Sequence, residues 1–271
     1  MLNKIEREMV EVLTDLRENH HVVGVKAEFE AEGTRLEEAM RLKEVISAAG
    51  LGLTLKIGGC EAIRDMYEAR VLGVSRIVAP MVETPYALKK FLAAIDLAFP
   101  QDEIEQMSFS INIETVTTCQ NFDEMLAIPS IRKLNGIVVG RVDLSGSAGL
   151  GRDDINSDAV FDLTSNIVAK AHAHGLIAAV GGGVSADALP FLRRLPTGAL
   201  SYYETRKVIF SCPQALDAGT EKGILKAVYF ELLWLKNKRD FYGMIFAEDA
   251  QRIEMLEARY KSAMEKYGIV K

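Results

Sequence analysis

Residues 108–126 read SFSINIETVTTCQNFDEML, and residues 134–151 read LNGIVVGRVDLSGSAGLG. Each begins as a short, largely apolar run, reaches an acidic residue just past its end, and continues with apolar residues at helical spacing. That sequence of events predicts a strand, a polar turn and a helix. The unit recurs in both directions along the chain. Strands are predicted over 22–27, 53–57, 76–81, 108–113, 136–140, 176–180 and 199–203, with helical stretches at 36–50, 60–73 and 185–195. Strands nearly continuous in Val, Ile, Leu and Ala are covered on both faces, which implies a parallel sheet wrapped by helices. No G-x-G-x-x-G follows the first strand, so a TIM-type (β/α)8 barrel is expected over an open dinucleotide-binding sheet. Seven strands are clear and 207–210 is the weak candidate for an eighth, so the barrel is expected to contain one atypical or missing strand. Around it lie an N-terminal helix (1–21), the barrel itself (22–212) and a C-terminal helical extension (213–271).

The chain has 271 residues, with 32 Lys and Arg against 38 Asp and Glu, a formal charge of −6. That acidity excludes nucleic acid as the expected partner, because phosphate backbones are held by basic faces. No apolar run approaches the roughly 18 residues of a membrane span, so no membrane contact is expected either. The opening MLNKIEREMVEVLTDLRENH places Ile5, Met9, Val10, Leu13 and Leu16 on one helical face and reads as structure, not as a signal or transit peptide. Cys60, Cys119 and Cys212 match no zinc or redox spacing and suit reduced thiols, so the expected location is cytoplasmic.

In parallel α/β folds chemistry gathers where strands end. The polar residues at those ends include Lys26, Glu28, Glu30, Lys56, Glu83, Asn112, Glu114, Arg141, Asp143, Ser145, Ser147, Glu204, Thr205 and Arg206. Glu114 and Asp143 end neighbouring strands. Two carboxylates with room for water form a hard-oxygen site for magnesium or manganese; the alternative is a pair of capping or salt-bridging acids. Lys26 and Lys56 are candidates to hold a substrate carboxylate or to form a Schiff base, or else are paired with Glu28 or Glu83. Tyr202, Glu204 and Arg206 alternate onto one face of the last strand, where Arg206 either clamps an anion or neutralises Glu204. Cys60 and Cys119 open helices, where a thiol pKa can fall. His20, His21, His172 and His174 all precede strands, so proton transfer at the rim falls to other groups.

The blocks IVAPMVETPYALKKFL (77–92), INIETVTTCQNFDEML (111–126) and LNGIVVGRVDLSGSAGLG (134–151) resemble the HpcH/HpaI aldolase and citrate lyase β-subunit family of the phosphoenolpyruvate/pyruvate barrels. The resemblance spans about residues 22–185. It implies a divalent metal, magnesium or manganese, on Glu114 and Asp143, and a small carboxylate substrate approached by backbone around Gly140 and Arg141. Arg141, Ser145, Glu28 and Glu83 join Gly140 as candidate substrate-binding residues, and Lys56, Arg206 and Lys26 as candidate catalytic ones. Two departures stand out. Lys56 occupies the place of the family's arginine, and VKAEFEAEG (25–33) lacks the histidine of the aldolase branch. The implied reaction is carbon–carbon cleavage of a 2-oxo acid. The alternatives are an acyl-CoA ester lyase, a Schiff-base aldolase and a barrel that only binds. A homo-oligomer is expected through the apolar tail residues Tyr229, Phe230, Leu232, Leu233, Trp234 and Leu235.

Overall fold

The computed structural model describes residues 1–267; the last four residues assigned to the C-terminal extension, 268–271, lie outside them. Helix α1 (Lys4–Asn19) leads into β1 (Val22–Glu28), α2 (Leu36–Ala48), β2 (Gly52–Lys56), α3 (Ile63–Leu72) and β3 (Arg76–Ala79). Then follow α4 (Pro85–Ala98), a single turn α5 (Gln101–Ile104), β4 (Ser108–Ile113), α6 (Val116–Leu126) and β5 (Gly136–Gly140). The second half contains α7 (Arg141–Ser147), α8 (Asp158–Ala173), β6 (Ile177–Gly181), α9 (Leu189–Arg193), β7 (Tyr202–Glu204), β8 (Val208–Ser211) and α10 (Glu221–Tyr267). The strands close into a barrel in the order β1 to β8.

The eighth strand is present, at 208–211, and it is the atypical one. Strands β1 to β7 run parallel, whereas β8 is antiparallel to both β7 and β1. A parallel return needs a crossover of a dozen residues or more. Only Thr205, Arg206 and Lys207 separate β7 from β8, so the chain must fold back as a hairpin. The Thr205 hydroxyl accepts from the Val208 N–H at 3.1 Å and fastens the turn. This corrects the alternation proposed for Tyr202, Glu204 and Arg206: the strand stops at Glu204, and Arg206 sits at the hairpin tip. Because β8 begins where β7 ends, the tip rises at the same end of the barrel as the parallel strand termini.

Val25 and Ala27 of β1 face outward and are buried under helices, as are Leu42 and Ile46 of α2, Phe91 of α4 and Phe122 of α6. No helix lies between β7 and β8, and helix α10 packs chiefly along α1. Its buried residues all lie in the first third, Gly223, Ile224, Ala227, Phe230, Leu233 and Trp234. Phe230, Leu233 and Trp234 are therefore core of their own chain, not free surface as the tail reading assumed. The two helical stretches read in the tail form one helix of 47 residues, about 70 Å long at 1.5 Å per residue. Gly243 does not break it, since one helical glycine costs only about 1 kcal/mol.

Glu6 joins three helices and is almost fully buried. Its carboxylate accepts from the Asn3 backbone N–H at 2.8 Å, from Arg41 Nε of α2 at 3.0 Å and from Asn237 Nδ2 of α10 at 3.5 Å. Burial alone pushes its carboxyl upward, but the Arg41 and Asn3 hydrogen bonds outweigh that and hold it below 4.5. A depressed carboxylate contributes stability that is complete above its unfolded pKa and disappears as pH falls through the folded one. Glu6→Gln is expected to cost about 1.5–3 kcal/mol at neutral pH, since it replaces a charged acceptor. Thermal melts between pH 3 and 7 are expected to show a shallower acid limb for the variant than for the native chain.

Candidate functional site

The C-terminal ends of the parallel strands enclose a cavity of about 460 Å³. Its base is apolar: Val78, Val138 and Ala179 pack together against Tyr202. One pleat further along β5 and β6, the inward positions are Gly140 and Gly181, and both line the cavity. A methyl group on Gly140 would lie 2.9 Å from Glu114 Oε2 and 3.0 Å from Glu114 Cβ, and one on Gly181 would lie 3.6 Å from Glu204 Oε2. Gly140 therefore leaves the room that Glu114 occupies, while Gly181 lies in ordinary contact with Glu204.

Glu114 follows β4 and is 1% exposed. Its Oε2 accepts from Asn112 Nδ2 at 2.7 Å and its Oε1 from the Met81 N–H at 3.0 Å. Met81 has φ +50°, a left-handed conformation rare for a branchless apolar side chain, so the turn after β3 is held in strain where it feeds this hydrogen bond. Lys56, at the end of β2, lies 3.7 Å from Glu114 Oε2 and 3.1 Å from Glu30 Oε2. Burial pushes the Glu114 carboxyl above 4.5; Lys56, Met81 and Asn112 pull it down, and the charge of Asp143 pushes it up again. Asp143 lies in the first turn of α7, exposed, lining the same cavity, and among the described residues it enters no hydrogen bond or ion pair.

A second charge cluster spans the hairpin. Lys26 Nζ lies 3.0 Å from Glu204 Oε2 and 3.5 Å from Glu28 Oε1. Burial disfavours the Lys26 ammonium, yet Glu204 and Glu28 more than offset it and raise its pKa above 10.5; Lys56 is likewise raised, by Glu114 and Glu30 against its burial. Both lysines are thus held as ammonium ions. A Schiff-base lysine needs the opposite shift, so that alternative loses its chemical support.

Three of the sequence candidates have their side chains turned elsewhere. Arg141 is fully buried and donates to the carbonyls of Gly181 (3.2 Å) and Gly182 (2.9 Å) and to Asn156 Oδ1 (2.7 Å), with Phe191 4.7 Å beneath it. Its side chain clamps the turns after β5 and β6 and is unavailable to a ligand; burial lowers its pKa to about 10. The Ser145 hydroxyl is buried and donates to the Gly151 carbonyl at 2.8 Å. Glu83 accepts from the Thr115 hydroxyl at 2.6 Å, outside the cavity lining. Arg206 does line the cavity, but at the hairpin tip it pairs with Glu32 at 3.2 Å and leaves the neutralisation of Glu204 to Lys26. The helix-opening argument for Cys119 fails as well, because burial pushes its thiol up to about 11. Sequence reading missed Met81, whose signal was only the Pro80 that ends β3, and Val228 and Glu231 of α10, which reach the rim from far along the chain.

The donor set suits a hard divalent cation. Among the described residues no three His, Cys, Asp or Glu side chains converge, but magnesium and manganese characteristically use one or two carboxylates and fill the remaining positions with water and substrate oxygens. Each Glu114 oxygen accepts one hydrogen bond from the chain and keeps a second lone pair, and Asp143 is unengaged.

The family described as HpcH/HpaI aldolase/citrate lyase matches residues 57–188, which contain Glu114, Gly140 and Asp143. Solved structures share the fold. An HpcH/HpaI aldolase from Desulfitobacterium hafniense DCB-2 superposes with TM-score 0.58 at 14% identity, over 84% of this chain and 90% of its own. The citrate synthase SbnG gives TM-score 0.57 at 17% identity, over 86% and 90%. A HpcH/HpaI aldolase/citrate lyase family protein from Burkholderia cenocepacia J2315 gives 0.52 at 16%, over 68% and 90%. No curated protein sequence matches. The chain is a barrel protein whose residues 57–188 match the HpcH/HpaI aldolase/citrate lyase family. That match supports an enzyme of the lyase or aldolase kind.

The electrostatic pairing at Glu114 is directly measurable. The 13C carboxyl resonance of Glu114 is expected to titrate above 4.5, and Lys56→Met is expected to move that midpoint further up, because the cation favouring the carboxylate is gone. An unmoved midpoint in the variant would show that Lys56 does not face Glu114 in solution.

Proposed function

We propose that the protein is a divalent-metal-dependent carbon–carbon lyase or aldolase acting on a 2-oxo acid. The observation that carries this reading is the convergence of Glu114, Asp143 and Lys56 in one cavity whose floor is opened by Gly140 and Gly181. Glu114 and Asp143 would hold magnesium or manganese. Bound there, such a cation supplies Lewis acidity to a keto oxygen and lowers the energy of the enolate left by bond cleavage. The remaining work falls to the chain. Lys56, fixed as an ammonium between Glu114 and Glu30, faces the developing negative charge or the substrate carboxylate. Asn112 and the Met81 N–H keep Glu114 aimed, so its reorganisation cost is met during folding. The Gly140 and Arg141 backbone borders the floor on which a small carboxylate can lie, with Arg141 fixing the shape of that wall from behind.

Oxaloacetate isolates the enolate step, since loss of carbon dioxide generates pyruvate enolate without any base. With Mn²⁺ the purified chain is expected to accelerate this decarboxylation. Glu114→Gln and Asp143→Asn should each reduce the rate at least about 100-fold, the scale of losing one preorganised electrostatic partner. A native protein without metal-stimulated decarboxylation would refute the reading.

The same reading includes a homo-oligomer formed by α10. Past Tyr242 the helix is almost wholly exposed, and Phe246, Ile253, Tyr260 and Tyr267 recur at intervals of seven with Leu256 between them. A seven-residue apolar repeat is the seam of a coiled coil, and a second copy of this helix supplies the matching stripe. Phe246→Glu with Ile253→Glu is expected to convert the sedimenting species to monomer; an unchanged sedimentation coefficient would remove the tail from the assembly.

A further inference from the structure

Glu204 ends β7, lines the cavity and is 3% exposed. Lys26 holds its Oε2 at 3.0 Å, while Oε1 is buried with no hydrogen-bond partner among the described residues. A carboxylate oxygen in that condition is costly, because it has lost water and gained no donor. Among the described residues the nearby donors are engaged elsewhere, Arg206 included, which pairs with Glu32. The Thr205 hydroxyl is committed to the hairpin turn, the Lys207 ammonium goes to Glu32, and Glu28 and Glu231 are themselves acids. The last torsion of a glutamate is broad, so the carboxylate can turn its unheld oxygen to the cavity without moving its stem.

We propose that Glu204 is a catalytic residue that accepts the hydroxyl hydrogen of a hydroxylated 2-oxo acid at the carbon whose bond is broken. An anionic group is repelled at this corner by Glu28, Glu204 and Glu231. A second ammonium would meet Lys26, which already supplies the positive charge 3.0 Å away. A neutral hydroxyl satisfies both constraints. The carboxylate and keto end of the same molecule then lies toward Lys56 and Asp143. Resting on the cleavage reading above, the step balances as follows. The hydroxyl proton passes to Glu204 and the carbinol oxygen becomes an aldehyde oxygen. The carbon–carbon bond breaks, and its electron pair stays on the 2-oxo acid fragment as enolate. That fragment takes a proton from solvent, and Glu204 returns its own to solvent after the aldehyde leaves. Lys26 is a positioning residue that holds the other oxygen of Glu204.

The test uses the full chain with Mn²⁺ and two reactions, cleavage of 4-hydroxy-2-oxopentanoate and decarboxylation of oxaloacetate, which involves no hydroxyl. In Glu204→Gln the ratio of cleavage to decarboxylation is expected to fall at least about 100-fold, the usual contribution of a positioned proton acceptor. Glu204→Asp, which keeps the charge opposite Lys26 but withdraws the oxygen, is expected to lower the ratio similarly and guards against misfolding of the first variant. Calorimetry with 4-hydroxypentanoate and pentanoate, which cannot react, reads the hydroxyl contact alone. The native chain should prefer the hydroxylated acid by about tenfold or more, and Glu204→Gln should erase the preference. A parallel fall of both reactions, or a preference that survives in the variant, would overturn the assignment. If the native chain decarboxylates nothing, the metal-lyase reading fails by itself, and the calorimetric preference still decides whether Glu204 receives a hydroxyl.

Discussion

Four ionisable side chains at the inner mouth of the barrel, Lys26, Lys56, Glu114 and Glu204, are largely withdrawn from water, and their mutual pairing constrains everything around them. Charges in a low-dielectric interior are tolerated only when each has an opposite partner and further hydrogen bonds. Lys56 meets Glu114 and Lys26 meets Glu204, each pair joining different strands, and Lys26 also meets Glu28 of its own strand. Gly140 at the end of β5 is then required, since a side chain there would strike Glu114. The strained turn at Met81 belongs to the same arrangement, because its N–H completes the shell of that carboxylate. Among the described residues lining the cavity, the side chains of Asp143, Arg152 and Glu231 and one oxygen of Glu204 enter no hydrogen bond or ion pair.

Barrel closure fixes which residues border that mouth. Because β8 returns as a hairpin and not through a helix, Thr205 and Arg206 stand at the functional end. Helix α10, packed along α1, brings Val228 and Glu231 to the rim. Glu114 and Asp143 border the cavity from β4 and the end of β5, with Lys56 from β2, and the Lys26–Glu204 side comes from β1, β7 and the hairpin. The family match contains Glu114 and Asp143 but begins just after Lys56 and stops before Glu204.

Much of this was legible in the residues. Acids placed just past apolar runs, at Glu114 and Asp143, are visible because a strand end is a local event. Lys26 and Lys56 were visible for the same reason. Arg141 was misleading: an arginine beside a glycine at a strand end suggests a ligand clamp, but Phe191 and the Gly181 and Gly182 carbonyls, some 40 to 50 residues later, absorb its guanidinium. Glu204 was passed over because alternation assigned Arg206 to it, and alternation assumes that the strand continues. The short turn at Thr205 to Lys207 cancels that assumption.

The sequence by itself determined the repeating strand–helix units, their parallel core and the acids at their ends, because periodicity and burial operate over a few residues. Only the tertiary structure decided how the barrel closes, which lysine meets which glutamate, and that one oxygen of Glu204 has no donor among the described residues. Those outcomes depend on strands far apart in the chain meeting around a ring, where distance in space, not spacing in sequence, sets the electrostatics.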